Sequence, residues 1–255
     1  MLEIATSLHR IPGVIAVVLG GSRARGEERP DSDWDFGLYY RGSRRPIDPD
    51  DVRALGYAGI VFAPGDWGPI VNGGAWLTIG GERVDLIYRD LDQVEAWLAD
   101  AEAGRFGVSR EVGYVAGVAT YVPVGELAIC RQLAGGRLPR PSFPAALRRT
   151  APPWWRNIAA GAVVGAAAHA ERGDPAACLA NLGQALLAEA QARLAARGEW
   201  ALNEKGLLAR AGLDHLGARL GGAGTMPAEL AEMVAQIRND SDLPTWGRAE
   251  RAPGR

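Results

Sequence analysis

Residues 14–40 constrain the fold of this chain more than any other stretch. Residues 14–19 are apolar and rich in β-branched side chains, which is typical of a buried strand. Gly20 and Gly21 follow this strand, and because glycine has no Cβ the backbone can turn sharply and approach a ligand closely. Ser22 is a good N-cap residue, so we expect it to cap a helix that begins at the next residue. The N–H groups at such a helix start favour phosphate binding.

Two aspartates, Asp33 and Asp35, lie two positions apart in the second apolar run of this stretch. Residues i and i+2 of a strand share a face, so both carboxylates point one way while Trp34, Phe36 and Leu38 point towards the core. Two like charges at this distance repel each other unless a cation lies between them. Ligand sets made only of oxygen suit Mg²⁺ or Mn²⁺. A phosphate-binding turn beside such a metal site predicts a binding site for a nucleoside triphosphate.

The same residues exclude two other kinds of site. The sequence has no Gly-x-x-x-x-Gly-Lys-Ser/Thr run, which excludes a P-loop. Residues 31–35 look like the start of a calcium-binding EF-hand loop, but its sixth and twelfth positions hold Phe36 and Gly42 instead of glycine and glutamate. A plain strand-to-helix turn at the glycine pair is the remaining alternative, and the nearby aspartates favour the phosphate site.

The glycine pair, Ser22 and the Asp33-x-Asp35 motif together resemble the signature of the DNA polymerase β-like nucleotidyltransferase superfamily. That family uses a third carboxylate on a later strand, and the resemblance assigns this role to Asp85. On its strand Asp85 takes the face opposite to its apolar neighbours, although a surface aspartate in a hairpin is the alternative. The resemblance covers the first third of the chain.

The resemblance implies metal-dependent transfer of a nucleoside monophosphate. One Mg²⁺ ion, held by Asp33, Asp35 and Asp85, activates a hydroxyl of the acceptor. A second ion, held by Asp33 and Asp35, bridges the triphosphate and offsets charge on the departing pyrophosphate. Mn²⁺ is the alternative ion, and ATP or another nucleoside triphosphate is the expected co-substrate.

The terminal phosphates are expected at the glycine turn. Ser22 and the N–H groups around Gly20 and Gly21 are the predicted contacts. Arg25 is predicted to add positive charge there, and Arg23 is an equal candidate. The alternative for each arginine is a side chain that is exposed to solvent.

Two residues outside the core motif lie in segments that resemble short stretches of bacterial small-molecule nucleotidyltransferases with a helical C-terminal domain. By that resemblance Glu126 is a candidate general base, and Lys205 is a candidate phosphate contact. A solvated charge near a helix end is the alternative for each. The choice between Glu126 and Asp85 as general base stays open. Trp67 and Trp76 lie near the predicted site, although tryptophans are more often part of a core.

The resemblance and the local patterns together predict two domains. Residues 1–138 are expected to form an α/β (α+β) nucleotidyltransferase domain with a small mixed sheet, which includes a tight hairpin at Gly80-Gly81. A Gly- and Pro-rich segment at 135–144 is the predicted linker. Residues 139–255 are expected to form an all-α helical bundle that binds the acceptor. The expected helices are 154–172, opened by Pro152-Pro153, then 175–197, 204–210 and 228–238, before a frayed tail after Leu243.

The composition of the 255-residue chain is ordinary for a globular protein, with 47% apolar and 23% charged residues. Its net charge of −2 argues against an extended nucleic-acid surface, which needs a basic face. Cys130 and Cys178 are the only cysteines and lack metal-ligand spacing, so the cytoplasm is the expected location. Residues 1–3 lack the positive region of a signal peptide, and the apolar run 158–168 is too short to cross a bilayer.

The overall organisation resembles bacterial antibiotic nucleotidyltransferases of the aminoglycoside type. This implies transfer of AMP from ATP to a hydroxyl of a small molecule, in a cleft between the domains of a monomer or homodimer. One alternative is a toxin-type nucleotidyltransferase that modifies a protein or tRNA. Another is a non-catalytic regulator that binds a nucleotide.

Overall fold

The computed structural model describes residues 2–241 of the chain, which separate into two compact units. The first unit contains residues 2–113 and 117–142, and the second contains residues 114–116 and 143–241. All strands of the described residues lie in the first unit. The predicted boundary at 138/139 and the acceptor-binding role of the second domain stay predictions, and the tail after Leu243 lies outside the described residues.

The first unit is built on a mixed sheet with five accompanying helices. The strands are β1 (Ala16–Leu19), β2 (Trp34–Tyr40), β3 (Ala58–Val61), β4 (Gly74–Ile79), β5 (Glu82–Asp90), β6 (Val108–Ser109), β7 (Val118–Ala119) and β8 (Arg131–Gly135). Six of them form one sheet in the order β3-β4-β5-β2-β1-β8, and β6 pairs with β7 alone. The helices are α1 (Leu2–His9), α2 (Gly21–Arg25), α3 (Pro49–Arg53), α4 (Leu91–Glu102) and α5 (Val122–Ile129).

The central strands β2 and β5 run parallel, whereas the other neighbours in the sheet run antiparallel. This arrangement confirms the predicted mixed sheet. The predicted hairpin between β4 and β5 is also confirmed, with Gly80 and Gly81 as its two-residue loop. Both glycines have positive φ angles, 62° and 85°, which is what a tight hairpin turn demands and glycine supplies without strain.

One face of the sheet forms the apolar core of this unit. Phe36 and Leu38 are fully buried there and Trp34 packs against them, as the alternation along β2 predicts. The intervening residues of β2 and β5 therefore point to the opposite face. That second face carries Asp35 and Asp85, and α5 reaches it through a contact between Glu126 and a β5 arginine. The sheet thus has one apolar face and a second, mixed face, called the polar face below, that carries these charged groups beside buried apolar side chains.

The second unit is helical, as predicted. Its helices are α6 (Ala145–Glu171), α7 (Pro175–Arg197), α8 (Leu207–Arg210), α9 (Asp214–Leu220) and α10 (Pro227–Asp240). The Asp174 side chain accepts a hydrogen bond from the Ala177 N–H at the start of α7, and Gly198 ends the helix in a left-handed conformation. Both ends of α7 confirm the prediction. No helix within residues 2–241 has the length and apolar character needed to cross a membrane.

The predicted start of the long helix is wrong. Pro152 and Pro153 do not open it, because α6 begins at Ala145 and contains both prolines in its interior. Leu147 and Ala151, which precede the prolines, are fully buried. Burial of these residues in about the first two turns outweighs the helix-breaking tendency of the prolines.

Candidate active site

The two aspartates on the polar face lie side by side on parallel strands. Asp35 of β2 is in register with Asp85 of β5, and both side chains are half-buried. Neighbouring strands lie about 4.8 Å apart, so in-register residues on one face are close neighbours. We call Asp35 and Asp85 the acidic pair. The structure thus brings together two of the three carboxylates that the sequence predicts as metal ligands.

The third predicted ligand, Asp33, has another partner. Its Oδ1 lies 2.6 Å from Nε of Arg83, the residue two positions before Asp85. Arg83 also donates a hydrogen bond to the carbonyl of Asp31 at 2.9 Å. Its side chain is 69% exposed, so this ion pair contributes little to stability and is easily opened. The sequence pattern did not reveal Arg83, because the pairing depends on the register of β2 and β5.

The residues present offer an incomplete metal site. Within residues 2–241 no group of three or more His, Cys, Asp or Glu side chains is arranged to hold a metal ion. The acidic pair provides two carboxylates of the kind that Mg²⁺ binds. Asp33 lies just before β2, two residues from Asp35, and is engaged by Arg83. The donor set therefore fits a divalent ion once Arg83 releases Asp33.

The glycine turn packs directly against Asp35 of the acidic pair. The N–H of Gly20 donates a hydrogen bond to the carbonyl of Asp35 at 2.8 Å. Gly21 has a φ of 60°, and a Cβ built on it would clash with Oδ2 of Asp35. A glycine is thus required here both by the backbone conformation and by the close approach of the carboxylate.

The predicted helix cap at this turn is wrong. Helix α2 begins at Gly21 with Gly20 as its N-cap, so Ser22 lies inside the helix and does not cap it. The helix begins two residues earlier than predicted, and its first residue, Gly21, has a left-handed φ that a serine would resist. The predicted phosphate contacts of Gly20, Gly21 and Ser22 remain predictions.

Residues 1–94 match the family model described as a nucleotidyltransferase domain. This part of the chain is a nucleotidyltransferase domain. The match includes the glycine turn, Asp33 and the acidic pair, and it identifies the protein as a transferase. Nucleotidyltransferases of this family generally use a nucleoside triphosphate and a divalent metal ion.

Solved structures similar to this chain include two bacterial proteins. One is a nucleotidyltransferase-like protein from Exiguobacterium sibiricum 255-15, with 11% identity, a TM-score of 0.44 and coverage of 94% of this chain and 72% of that one. The other is an aminoglycoside 6-adenyltransferase from Bacillus subtilis, with 11% identity, a TM-score of 0.31 and coverage of 99% and 90%. No curated protein matches the sequence.

The two arginines next to the glycine turn of the nucleotidyltransferase domain have different surroundings. Arg23 lies over the Trp34 ring, 4.0 Å from its centroid, and donates hydrogen bonds to the carbonyls of Ser32 and Asp33. Arg25 forms an exposed ion pair with Glu27 at 2.6 Å. Arg23 is therefore tied to the segment before β2, whereas an exposed ion pair leaves Arg25 free to move.

Glu126 of α5 forms a bidentate ion pair at the far end of β5. Its carboxylate oxygens accept hydrogen bonds from Nε and Nη2 of Arg89 at 2.6 and 2.8 Å. Arg89 is 4% exposed and also donates to the carbonyl of Val71 at 2.5 Å. It lies four residues beyond Asp85, or about 13 Å along the strand. The predicted role of Glu126 as general base stays a prediction.

Lys205 belongs to the second unit, unlike the other predicted site residues. It is exposed in the turn before α8, and its N–H donates a hydrogen bond to Oδ1 of Asn203 at 3.1 Å. The neighbouring Glu204 accepts hydrogen bonds from the N–H groups of Val115 and Ala116 within the same unit. The proposed phosphate contact of Lys205 therefore stays a prediction.

Trp76 is an exception to the general tendency of tryptophans to belong to a core. Its side chain is 51% exposed on the polar face of the sheet, directly opposite Asp85 in the β4–β5 register. The alternation along β4 could have predicted this exposure, because Ala75 and Leu77, the two neighbours of Trp76, are apolar and buried.

Proposed function

We propose that this nucleotidyltransferase transfers a nucleoside monophosphate, AMP from ATP in the first instance, to a hydroxyl of a small molecule and releases pyrophosphate. The observation that carries the proposal is the acidic pair, held in register on parallel strands with Gly21 packed against the Asp35 carboxylate. Like charges placed together next to a glycine turn suit a cation and the phosphates that accompany it.

Asp35 and Asp85 are the proposed ligands of a divalent ion, Mg²⁺ or Mn²⁺, and Asp33 is the proposed third ligand. Two such ions would offset the charge of the triphosphate and of the departing pyrophosphate. Arg83 would neutralise Asp33 in the absence of the ions and release it when they bind, because the Arg83 side chain is 69% exposed. The glycine turn (Gly20, Gly21) would orient the phosphates.

The remaining phosphate contacts are proposed for Ser22, Arg25 and Lys205. Arg25 supports this because its exposed ion pair with Glu27 is easily exchanged for a phosphate. Ser22 supports it by its position in the short helix that follows the glycine turn. Lys205 is proposed only by the resemblance of its surrounding stretch to other nucleotidyltransferases.

We assign the general base to Asp85 rather than to Glu126. Asp85 lies in the acidic pair, where the acceptor hydroxyl has to reach the α-phosphorus. Both oxygens of Glu126 already accept hydrogen bonds from Arg89, a residue about 13 Å beyond Asp85 along β5. Asp85 would accept the hydroxyl proton during in-line attack, and positioning would supply much of the rate.

The acceptor is proposed to bind to the helical domain, residues 139–255. Aminoglycoside-like antibiotics are the first compounds to test, because the organisation of the sequence resembles antibiotic nucleotidyltransferases. A cytoplasmic location is proposed from the two buried, unbridged cysteines, Cys130 and Cys178.

The test is an assay of pyrophosphate release by the full chain with Mg²⁺, each nucleoside triphosphate and a panel of hydroxyl compounds. We expect release with one acceptor class, an acceptor mass increased by one nucleotide, and loss of both in EDTA or in Asp35→Asn. No release with any pair of substrates would overturn the proposal. Labelled protein or tRNA, with no labelled small molecule, would replace it with the toxin-type activity.

A further inference from the structure

An aromatic cluster borders the acidic pair on the polar face of the sheet. Trp76 of β4 is the cross-strand partner of Asp85, which is itself in register with Asp35. Directly paired strand residues project to the same face, so the three side chains form one row across three strands. Trp76 therefore lies one strand spacing, about 4.8 Å, from Asp85 and two from Asp35.

Two further aromatic rings support Trp76. Trp67 stacks on it with ring centroids 5.5 Å apart and an angle of 23° between the planes. Phe62 contacts it edge-on at 4.9 Å and contacts Trp67 at 5.1 Å. We call these three residues the aromatic platform. Trp67 and Phe62 are half-buried, whereas Trp76 is 51% exposed. The Trp76 ring is therefore supported by the other two rings and is also open to solvent.

The backbone around the platform is built to hold it. A Cβ on Gly74 would lie 1.8 Å from the carbonyl oxygen of Leu86 and 2.8 Å from the Trp67 ring, so a glycine here lets both groups approach β4 closely. The segment between β3 and β4 is closed by hydrogen bonds from the Phe62 N–H to the Gly74 carbonyl at 2.9 Å and from the Trp67 N–H to the Asn72 carbonyl at 3.0 Å. The platform is therefore ordered before any ligand binds.

We propose that Trp76 stacks on the nucleobase of the donor triphosphate, with Trp67 and Phe62 fixing its ring. The inference rests on the proposed function, since the phosphates have to reach the acidic pair. The base is joined to those phosphates through the ribose, and Trp76 is the aromatic neighbour in the same row. A flat π surface suits a nucleobase, and an aromatic side chain recognises every base in this way.

Stacking has a consequence for nucleotide preference. It depends on the size of the base rather than on hydrogen bonds to its edge, so purines should bind more tightly than pyrimidines. We expect ATP and GTP to have similar dissociation constants, and CTP and UTP to have larger ones. A cationic acceptor lying over the indole is the competing occupant, because a cation is also attracted to this ring.

The experiment is calorimetric titration of the full chain with ATP or tripolyphosphate in the presence of Mg²⁺. Trp76→Ala should weaken ATP binding about 5- to 100-fold and leave tripolyphosphate binding unchanged, because tripolyphosphate has no base. Trp76→Phe should keep most of the ATP affinity. Trp154→Ala, which removes a tryptophan that is 39% exposed on α6, is the matched control and should bind ATP like the wild type.

The outcomes separate this inference from the proposed function. Wild-type protein that binds ATP with an affinity unchanged by Trp76→Ala overturns the platform alone. Wild-type protein that binds no triphosphate overturns both. Weakened binding of the acceptor with unchanged binding of ATP assigns Trp76 to the acceptor and also overturns the inference. A raised KM for ATP with kcat little changed in Trp76→Ala would support it, and far-ultraviolet circular dichroism would show that the variant is folded.

Discussion

The two ends of the parallel strands β2 and β5 differ in how their charged side chains are arranged. Near their starts, the acidic pair places two carboxylates side by side. Near their ends, Arg89 is buried and held by both oxygens of Glu126. The second arrangement pairs opposite charges, whereas the first places like charges side by side in a way that suits a bound cation. The comparison indicates that the starts of these strands suit the proposed ligand, whereas their ends support the fold.

Ion pairs also connect the end of β2 to helix α4. Arg41, just past β2, donates hydrogen bonds to Asp92 and Glu95 of α4 at 2.5 to 2.9 Å. Asp90 caps the same helix by accepting from the Asp92 N–H. Every charge in this set has an opposite charge or a backbone donor as its partner. Substitutions there should therefore change stability first, and substitutions in the acidic pair should change activity first.

The largest expected effect is at the acidic pair. Asp85→Asn should reduce kcat/KM about 1000-fold or more, since it removes a proposed ion ligand and the proposed base. The free energy of unfolding should stay the same or rise, because the substitution also removes repulsion from Asp35. Steady-state kinetics and urea unfolding measure the two quantities.

Asp31→Asn is the matched control for this substitution, because Asp31 is an exposed aspartate in the loop before β2. It should leave both quantities near the wild-type values. A large loss of stability in Asp85→Asn would contradict the comparison, since it would show that the acidic pair supports the fold.

The next effect is at the opposite end. Glu126→Gln should lower the free energy of unfolding by about 3 kcal/mol, because it leaves the buried Arg89 charge without its partner. Replacing both partners together, as Arg89→Met with Glu126→Leu, should recover much of that loss. Urea unfolding of this double variant and of its two single variants, Arg89→Met and Glu126→Leu, gives the coupling between the two positions.

The same variant decides between the two candidates for general base. Glu126→Gln with unchanged stability and a rate lowered 100-fold would assign the base to Glu126 and break the comparison. A fall in stability with the pH dependence of kcat unchanged supports the assignment to Asp85.

The smallest effect concerns pH. Hydrogen bonds from the Ser43 hydroxyl and N–H, followed by one from Arg41, lower the pKa of Asp92 from 3.8 to about 2. The folded state therefore binds the proton less tightly than the unfolded state, so this contribution to stability is complete above about pH 4 and is lost as the pH falls towards 2. The difference in unfolding free energy between the wild type and Asp92→Asn should shrink over that window. A difference that stays constant from pH 7 to pH 2 would contradict this account.

Elements whose ends depend on neighbouring residues were predictable from the sequence. The Gly80-Gly81 hairpin and the start of α7 at Asp174-Pro175 are signals of this kind, because turn and cap geometry is decided within a few residues. The placement of Phe36 and Leu38 in the core also followed from alternation along one strand.

Features that depend on distant partners were not predictable in this way. Strand β8 shows little alternation and exists because β1, far earlier in the chain, pairs with it. The ion pair between Arg83 and Asp33 requires the register of two strands, which no local pattern encodes. The start of α6 was predicted wrongly from its prolines for the same reason, because packing of the residues before them decides where that helix begins.

Strand β8 is translated long after its partner β1, and this has a consequence for folding during synthesis on the ribosome. Leu19 of β1 pairs with Arg131, so one edge of β1 stays open while the intervening residues are translated. At ordinary elongation rates this takes roughly 6 to 22 s, during which an uncovered strand edge is a site for aggregation. The family match ends at residue 94, and a chain shortened to that point would keep this edge open permanently. Chaperone dependence of expression should therefore fall once residue 135 is included.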